Sequence, residues 1–257
     1  MRAIWTGAIG FGLVNIPVKM YSAVQDSSLD LDMLDKKDHS NIRFQRVNEK
    51  TGKEVAWENI VRGYKYNGEY VILGDEDFKK ASPEKSKIIE IAEFVDVAEI
   101  DAVYYETPYY LEPEKTGTKA YALLRDALEK SGKVGLGTYV MRTKEAIGMI
   151  RPMEDVLVLN KMRFAEEIRD HKDLKLPEDK SKPNELKMAL ALIEQLTGPF
   201  EIEKYKDTYT DQLMKVIEAK AKGKKITAPT MKVVHSKSQD LMDQLKASLS
   251  TNKRKAS

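Results

Sequence analysis

The first two dozen residues constrain the fold most strongly, because an apolar run there contains residues that break helices. Gly7, Gly10 and Gly12 interrupt the run, and Pro17 follows them. Each glycine weakens a helix and an internal proline breaks one, so the segment is a poor match to a buried helix or to the apolar helix of a signal peptide. Strands accept glycine at bends and where another backbone approaches closely. The segment therefore predicts a glycine-interrupted strand that bends around a barrel.

Short β-rich runs separated by turn signals continue over most of the first 164 residues. Alternation around a Gly-containing turn predicts a hairpin over 41–57, and Asn67-Gly68 predicts a second over 64–73. Further strands are expected at 86–97, 102–111, 134–142, 146–149 and 156–164. A single amphipathic helix is expected over 118–131, before Gly132. Many short strands around one helix favour a mainly β fold with a closed or nearly closed barrel.

The remainder of the chain has a helical pattern. Residues 171–183 form a charged linker, after which Asn184 is the expected N-cap of a helix that runs to residue 196. A second helix is expected over 209–222, followed by a basic, flexible segment. A last short helix over 239–250 carries the apolar stripe Leu241, Met242, Leu245 and Leu249. The stripe has no evident partner within the chain, which predicts docking into a groove on another protein.

Composition excludes several classes of protein. The chain has no cysteine, which removes disulfides, thiol nucleophiles and thiolate zinc sites and suits a reducing cytosol. No stretch approaches the ~20 apolar residues of a membrane span, so no membrane partner is expected. The net charge is only +2, yet residues 66–114 hold thirteen acids against four lysines, and residues 222–257 hold nine Lys or Arg against two Asp. This separation of charge predicts distinct surfaces.

The motifs of common catalytic sites are missing. The sequence has no phosphate-binding Gly-rich loop and no Gly-x-Ser-x-Gly elbow, and the glycine pairs beginning at Gly10 and Gly135 lack the last glycine of a dinucleotide fingerprint. His39, His171 and His235 are far apart in polar contexts, without zinc-ligand spacing. We therefore expect a protein that is not an enzyme and that has no cofactor and no metal.

Two groups of cations are candidates for contacts with nucleic acid. The first lies in or beside the hairpin expected over 41–57 and comprises Lys36, Lys37, Arg43, Arg46, Lys50, Lys53 and Arg62. Cations on an extended arm can contact phosphates, which gives affinity without reading the base sequence. The second group is Arg142 and Lys144 at a strand end, with Lys133 nearby. For both groups an ordinary solvated surface remains an alternative, supported in the first group by four interleaved acids.

Aromatic residues are a third feature that nucleic acid could use. Trp5, Trp57 and the pairs Tyr104-Tyr105 and Tyr109-Tyr110 could stack on bases. Their strand-like, apolar flanks favour packing in a core or an interface instead.

Blocks of sequence along almost the whole chain match one family in order. They include Arg2-Ala3-Ile4-Trp5, the run from Phe11 to Val18, Ile60-Val61-Arg62-Gly63-Tyr64, Pro108-Tyr109-Tyr110-Leu111, the run from Lys119 to Arg125, Arg142-Thr143-Lys144-Glu145 and the run from Met162 to Arg169. In this the chain resembles the bacterial Ku family. The ordered agreement of many blocks is far more specific than any single motif.

The resemblance implies a domain organisation. Residues 1–183 would form the Ku-type β-barrel core with a DNA bridge at 36–62, and residues 184–222 a helical arm for dimerisation. Residues 223–257 would be a basic linker and a C-terminal helix that recruits an ATP-dependent DNA ligase through Leu241, Met242, Leu245 and Leu249. Two interlocked chains would then make a ring that threads onto double-stranded DNA ends in non-homologous end joining. The expected location is the bacterial cytoplasm, at breaks in the nucleoid.

Other functions remain open on the sequence alone. A barrel that binds nucleic acid without preference for ends would bind linear and circular duplexes equally. A lyase that uses a lysine amine would be trapped covalently on an abasic site by borohydride. A scaffold that binds only protein would show no salt-dependent association with DNA.

Overall fold

The computed structural model describes residues 1–81, 87–141, 144–177 and 181–224, together with residues 242, 244, 245 and 248. These residues belong to two compact units, one made of 1–26 and 30–170 and the other of 27–29 and the chain from 171 onward. The strands of the first unit are β1 (Trp5–Phe11), β2 (Val14–Ser22), β3 (Arg62–Tyr66), β4 (Glu69–Leu73), β5 (Ile88–Asp96), β6 (Tyr105–Pro113), β7 (Lys133–Met141), β8 (Lys144–Met153) and β9 (Val156–Met162). Its helices are α1 (Asp75–Ala81) and α2 (Thr118–Ser131), and the second unit contains α3 (Pro183–Leu196) and α4 (Thr208–Ala221).

Seven strands close into a barrel in the order β1-β2-β6-β9-β8-β7-β5. Adjacent strands are antiparallel except at the closing seam, where β1 and β5 run parallel and Ile9 pairs with Ile89. Closure leaves none of these seven strands as an unpaired edge, which protects the sheet from pairing with other chains. The expected mainly β fold with a barrel is confirmed.

The glycine-rich opening segment forms the strand expected of it. A Cβ added at Gly7 would lie 2.2 Å from the carbonyl oxygen of Lys87, so only glycine permits the approach of the chain that precedes β5. Gly12 has a φ of +56° in the tight turn between β1 and β2. Glycine therefore serves both the seam and the first turn of the barrel.

Helix α2 packs against β2, β7 and β8. Its buried residues Tyr121, Leu124 and Leu128 join the main apolar core, which also contains Ile9 and Leu159. The helix ends at Gly132, whose φ of +66° is the left-handed conformation typical of a glycine after a helix. Both bounds of the expected helix are confirmed.

The hydroxyl of Tyr121 ties this helix to two strands. It donates a hydrogen bond to the carbonyl oxygen of Leu111 on β6, at 2.6 Å, and accepts one from the backbone N–H of Leu157 on β9, also at 2.6 Å. Burial raises the pKa of Tyr121, so the hydroxyl keeps its proton and its role as donor.

We expect Tyr121→Phe to lower the free energy of unfolding by about 2 kcal/mol, because two buried backbone groups lose their partner. Urea denaturation measures the change. The control is Tyr70→Phe at an exposed position, where we expect a change within about 0.5 kcal/mol. Equal effects of the two substitutions would contradict the structural role of this hydroxyl.

The two hairpin predictions have different outcomes. Strands β3 and β4 pair around Asn67 and Gly68, whose φ values are both positive, so the hairpin over 64–73 is confirmed. The regular hairpin over 41–57 is wrong, since that stretch contains only the isolated β-bridge of Val47 with Glu54 and one residue of another bridge. Phe44 is 79% exposed. With no buried face to fix the register, a long ladder does not form there.

Helix α1 was not expected from the sequence pattern. It is seven residues long, with Asp75, Glu76 and Asp77 in its first turn and Lys79 and Lys80 in its last. Acids at the N-terminus and cations at the C-terminus both interact favourably with the helix dipole. This charge order was therefore the available signal.

The helices of the second unit agree with the expected ranges to within one residue, since α3 starts at Pro183 and α4 runs from Thr208 to Ala221. Lys182, and not Asn184, occupies the N-cap position of α3, because Pro183 fits the first helical residue and moves the start forward. Asp207 caps α4 by accepting hydrogen bonds from the backbone N–H groups of Tyr209 and Thr210. The Thr210 hydroxyl also donates to its carboxylate and lowers the pKa of Asp207.

The apolar faces of these two helices are exposed. Neither α3 nor α4 contains a buried residue, and Leu190 and Ile193 on α3 are 56% and 61% exposed. Among the described residues, no helix is long and apolar enough to cross a membrane. Of the last helix expected, residues 242, 244, 245 and 248 are helical, and the rest lies outside the described residues.

Candidate nucleic-acid interface

Residues 36–62, here named the bridge segment, follow β2 and end at Arg62, the first residue of β3. They contain seven Lys or Arg and four acids, a net charge of +3, whereas residues 66–114 hold four lysines and thirteen acids, a net charge of −9. Every residue of the segment except Val55 is exposed. The segment is thus an open, cationic part of a chain that is acidic immediately afterwards.

The first turn of the bridge segment presents Lys36 and Lys37. It follows the isolated bridge residue Leu34, which pairs with Asn41 across the turn. The carboxylate of Asp38 accepts hydrogen bonds from the hydroxyl and the backbone N–H of Ser40, which lower the pKa of Asp38. Backbone and side-chain bonds therefore hold the turn in shape while both lysines face solvent.

The second turn presents Lys50 and Lys53. Asn48 organises this turn. Its side-chain oxygen accepts hydrogen bonds from the backbone N–H groups of Lys50 and Thr51, and its backbone N–H donates one to the carbonyl oxygen of Lys53. Gly52 supplies the positive φ, +66°, that the turn requires. Asn48 therefore caps the turn, and of the long strand ladder expected here only the bridge of Val47 with Glu54 forms beside it.

Two arginines of the segment lie over aromatic rings. The guanidinium carbon of Arg46 is 4.7 Å from the ring centroid of Trp57, and that of Arg62 is 4.5 Å from the ring of Phe78. These are cation–π distances. Arg43 is exposed, and no described contact fixes its side chain. The structure therefore holds two of the three arginines in defined places.

The second group of cations does not form one cluster, so the expectation that Lys133 lies near Arg142 and Lys144 is wrong. Lys133 begins β7 and Lys144 pairs with Met141 at its other end. Eight residue steps of a strand separate these ends by about 26 Å. Lys133 also forms an ion pair with Asp96, with Nζ 2.7 Å from Oδ2. Lys144 is exposed, and Arg142 lies outside the described residues.

Most of the aromatic residues that were candidates for stacking on bases pack against the core, and Trp57 does not. Trp5 packs against the core and donates its indole N–H to the carbonyl oxygen of Val140, at 3.3 Å. Tyr104, Tyr105 and Tyr109 pack against the two core clusters. Trp57 is 67% exposed in the single chain, so it does not pack in the core, and packing in an interface stays a prediction. It belongs to the bridge segment, and no pattern of apolar spacing signalled its contact with Arg46.

Little of the proposed ligase-binding stripe can be placed. Met242 and Leu245 are helical and half-buried, and Met242 lines a cavity of about 470 Å³ with Lys182, Pro183, Asn184 and Glu185. Leu241 and Leu249 lie outside the described residues. No group of three or more potential metal ligands occurs within the described part of the chain.

Comparison with known proteins gives the family. The profile of the Ku70/Ku80 beta-barrel domain matches residues 10–189, more than half of the chain. The chain belongs to the Ku family. It is 42% identical over 254 residues to the non-homologous end joining protein Ku of Archaeoglobus fulgidus, covering 97% of this chain and 98% of that one. It is 41% identical over 248 residues to the protein of the same name from Pseudomonas aeruginosa, with 94% and 85% covered.

A further Ku relative, from Bacillus subtilis, is 37% identical over 259 residues, which covers 99% of this chain and 83% of its own. The matched Ku domain includes the bridge segment, the first seven residues of α3 and all of the barrel except residues 5–9 of β1. The resemblance seen in the sequence is thereby confirmed.

Proposed function

We propose that this protein binds the ends of double-stranded DNA, without regard to sequence, as a ring-shaped homodimer in non-homologous end joining. The observation that carries the proposal is the bridge segment, whose seven cations are all exposed and outnumber its four acids, inside the matched Ku domain. The names of the relatives supply the pathway. Charge on an open arm favours contact with phosphates, which all duplexes share.

The phosphate contacts are assigned to Lys36, Lys37, Arg43, Arg46, Lys50, Lys53 and Arg62 of the bridge segment. Lys144, with Arg142 close to it in the sequence, is a further candidate at the start of β8, where it pairs with Met141. Lys133 is the weakest candidate, because Asp96 already offsets its charge. No step of this function requires bond making or breaking by the protein.

Dimerisation is supported by apolar surface that one chain leaves exposed. Leu186, Leu190 and Ile193 recur along α3 at helical spacing, and each is about half exposed or more. Helices of this kind are stabilised by burying such a stripe against another surface. We assign α3 and α4 to a helical arm that packs on a second copy of the chain. The dimer would act in the cytoplasm, where bacterial DNA lies.

Ligase recruitment is assigned to the C-terminal helix. Leu241, Met242, Leu245 and Leu249 recur at the spacing of one helical face. An ATP-dependent end-joining ligase is the partner that the family resemblance implies.

If a ring of two chains threads onto DNA, binding should require a duplex with a free end. We expect the purified protein to have the mass of a dimer, to bind a linear duplex, and to bind a covalently closed circle of the same sequence much more weakly. Capping both ends of a linear duplex with bulky proteins after binding should trap the ring, so that it persists at a salt concentration that removes it from uncapped DNA.

Gel shift, sedimentation and a salt challenge measure these three properties. Equal binding of circle and linear duplex would indicate a barrel protein without end preference. A stable monomer would contradict the ring. A covalent adduct formed on an abasic site with borohydride would indicate lyase chemistry instead.

A further inference from the structure

We infer that Trp57 is a positioning residue for DNA binding, which holds the guanidinium of Arg46 in the orientation that contacts a phosphate. This inference rests on the proposed function. It adds a role for an aromatic side chain that neither stacks on bases nor packs in the core. Its basis is the 4.7 Å distance between the Arg46 guanidinium carbon and the Trp57 ring centroid.

The backbone of the bridge segment brings these two residues together. Val47 pairs with Glu54, and the N–H of Val55 donates to the carbonyl oxygen of Arg46 at 2.8 Å. Trp57 then begins a 3₁₀ turn, and the carbonyl oxygen of Trp57 accepts a hydrogen bond from the N–H of Ile60. The turn organised by Asn48 thus brings together the two stretches of backbone that carry Arg46 and Trp57.

Arg46 is held by the ring and not by a carboxylate. Within the part of the chain that the structure describes, its guanidinium takes part in none of the ion pairs, and the neighbouring Glu54 carboxylate accepts a hydrogen bond from Gln45. A ring face engages the flat side of a guanidinium and leaves the N–H groups at its edge available for an anion. A carboxylate would occupy the same N–H groups that a phosphate needs.

The exposure of Trp57 agrees with this role. A tryptophan that is 67% exposed contributes little to a core, yet its ring is the surface on which Arg46 lies. An arginine that is already oriented loses less side-chain freedom on binding a phosphate than a free one. Lysine does not replace it, because an ammonium group lacks the planar fork.

A second arginine of the bridge segment also lies over an aromatic ring. Arg62 lies 4.5 Å from the ring of Phe78, but Phe78 belongs to α1 and is half-buried, so its ring has a packing role as well. Trp57 offers the cleaner test, because its substitution disturbs less of the fold.

The experiment is a double-mutant cycle on DNA affinity with Trp57→Leu, Arg46→Gln and the double variant, in the full chain. We expect Trp57→Leu to weaken binding of a linear duplex roughly tenfold, since each of two bridges loses about two- to fivefold. Trp57→Phe should retain most of the affinity. In the Arg46→Gln background, Trp57→Leu should have almost no further effect.

The salt dependence separates positioning from charge. Arg46→Gln should make the plot of log affinity against log salt shallower by about one per subunit, whereas Trp57→Leu should leave the slope unchanged, because the cation remains. If Trp57→Leu instead disrupted the bridge segment, the other cations would lose their phosphate contacts as well and the slope would become shallower.

Three results would overturn the inference. Trp57→Leu could weaken binding equally with and without Arg46, which would indicate that the indole itself contacts DNA. It could change the dimer mass, which would place Trp57 in the subunit interface. Arg46→Gln could leave affinity unchanged while the other bridge cations matter, which would remove the role of Arg46 but keep the proposed function. If the wild-type protein shows no affinity for DNA, the proposed function fails first.

Discussion

Replacing Arg43, Arg46, Lys50 and Lys53 together by glutamine should weaken binding of a linear duplex by about 100- to 1,000-fold at moderate salt. The four side chains are exposed and lie within one short stretch of the bridge segment. In a homodimer the change removes eight cations, each able to release counterions from the duplex. The slope of log affinity against log salt should therefore become shallower by up to about 7.

The matched control is the replacement of four exposed lysines elsewhere in the first unit, Lys87, Lys115, Lys119 and Lys130, by glutamine. It changes the net charge by the same amount. If the bridge segment provides the contacts, the control should keep nearly all the affinity and the salt slope. Equal losses in the two variants would show that only net charge matters, and an unchanged affinity in the bridge variant would move the contacts to another surface.

Dimer mass and the urea midpoint should stay the same in the bridge variant. None of its four side chains is buried, and substitutions at such surface positions usually change stability by less than about 0.5 kcal/mol each. A folded dimer that no longer binds DNA would separate the contact surface from the scaffold.

The barrel could be predicted from the sequence because its signals are local. Two-residue alternation marks strands wherever they lie, and Asn67-Gly68 sets the β3–β4 hairpin by itself. Helix α2 agrees to the residue because Gly132 ends it at a fixed place. Which strands pair at the seam is not local. The parallel contact of β1 with β5 joins residues about eighty positions apart, and no short pattern specifies it.

In the bridge segment a local sequence pattern predicted the wrong structure. Alternating residues around 41–57 suggested a hairpin, but alternation specifies a ladder only when one face is buried. Ile42, Phe44 and Val47 are all exposed in the single chain. The cations of this segment lie close together in the sequence, and their common role in DNA binding stays a prediction. The grouping of Lys133 with Lys144 is wrong, because Lys133 begins β7 whereas Lys144 begins β8 opposite the other end of β7.

The contact of Arg46 with Trp57 could not be read from spacing. It depends on the pairing of Val47 with Glu54, which in turn depends on the turn that Asn48 caps. The sequence contains a signal for that turn, an Asn four residues before a glycine. It contains none for the side-chain rotamers that place a guanidinium on an indole.

Gly137→Ala should destabilise the protein more than any other single change proposed for the barrel, by about 3 kcal/mol or more. Gly137 on β7 pairs with Ile91 on β5, immediately before a register shift between Ile91 and Glu93. A Cβ at Gly137 would lie 1.8 Å from the carbonyl oxygen of Glu90 and 3.0 Å from the Cα of Ile91. Both atoms are backbone, so relief requires β5 and β7 to separate.

The neighbouring Gly135 provides the control on the same strand. A Cβ there would approach only side chains, those of Ile91 at 3.2 Å and Phe94 at 3.3 Å. Side chains can move by a few tenths of an ångström, so Gly135→Ala should cost about 1 kcal/mol or less. Urea denaturation of both variants measures the difference. Similar losses would mean that β5 yields as easily as a side chain does, and the seam next to the parallel β1–β5 contact would then be a soft part of the barrel.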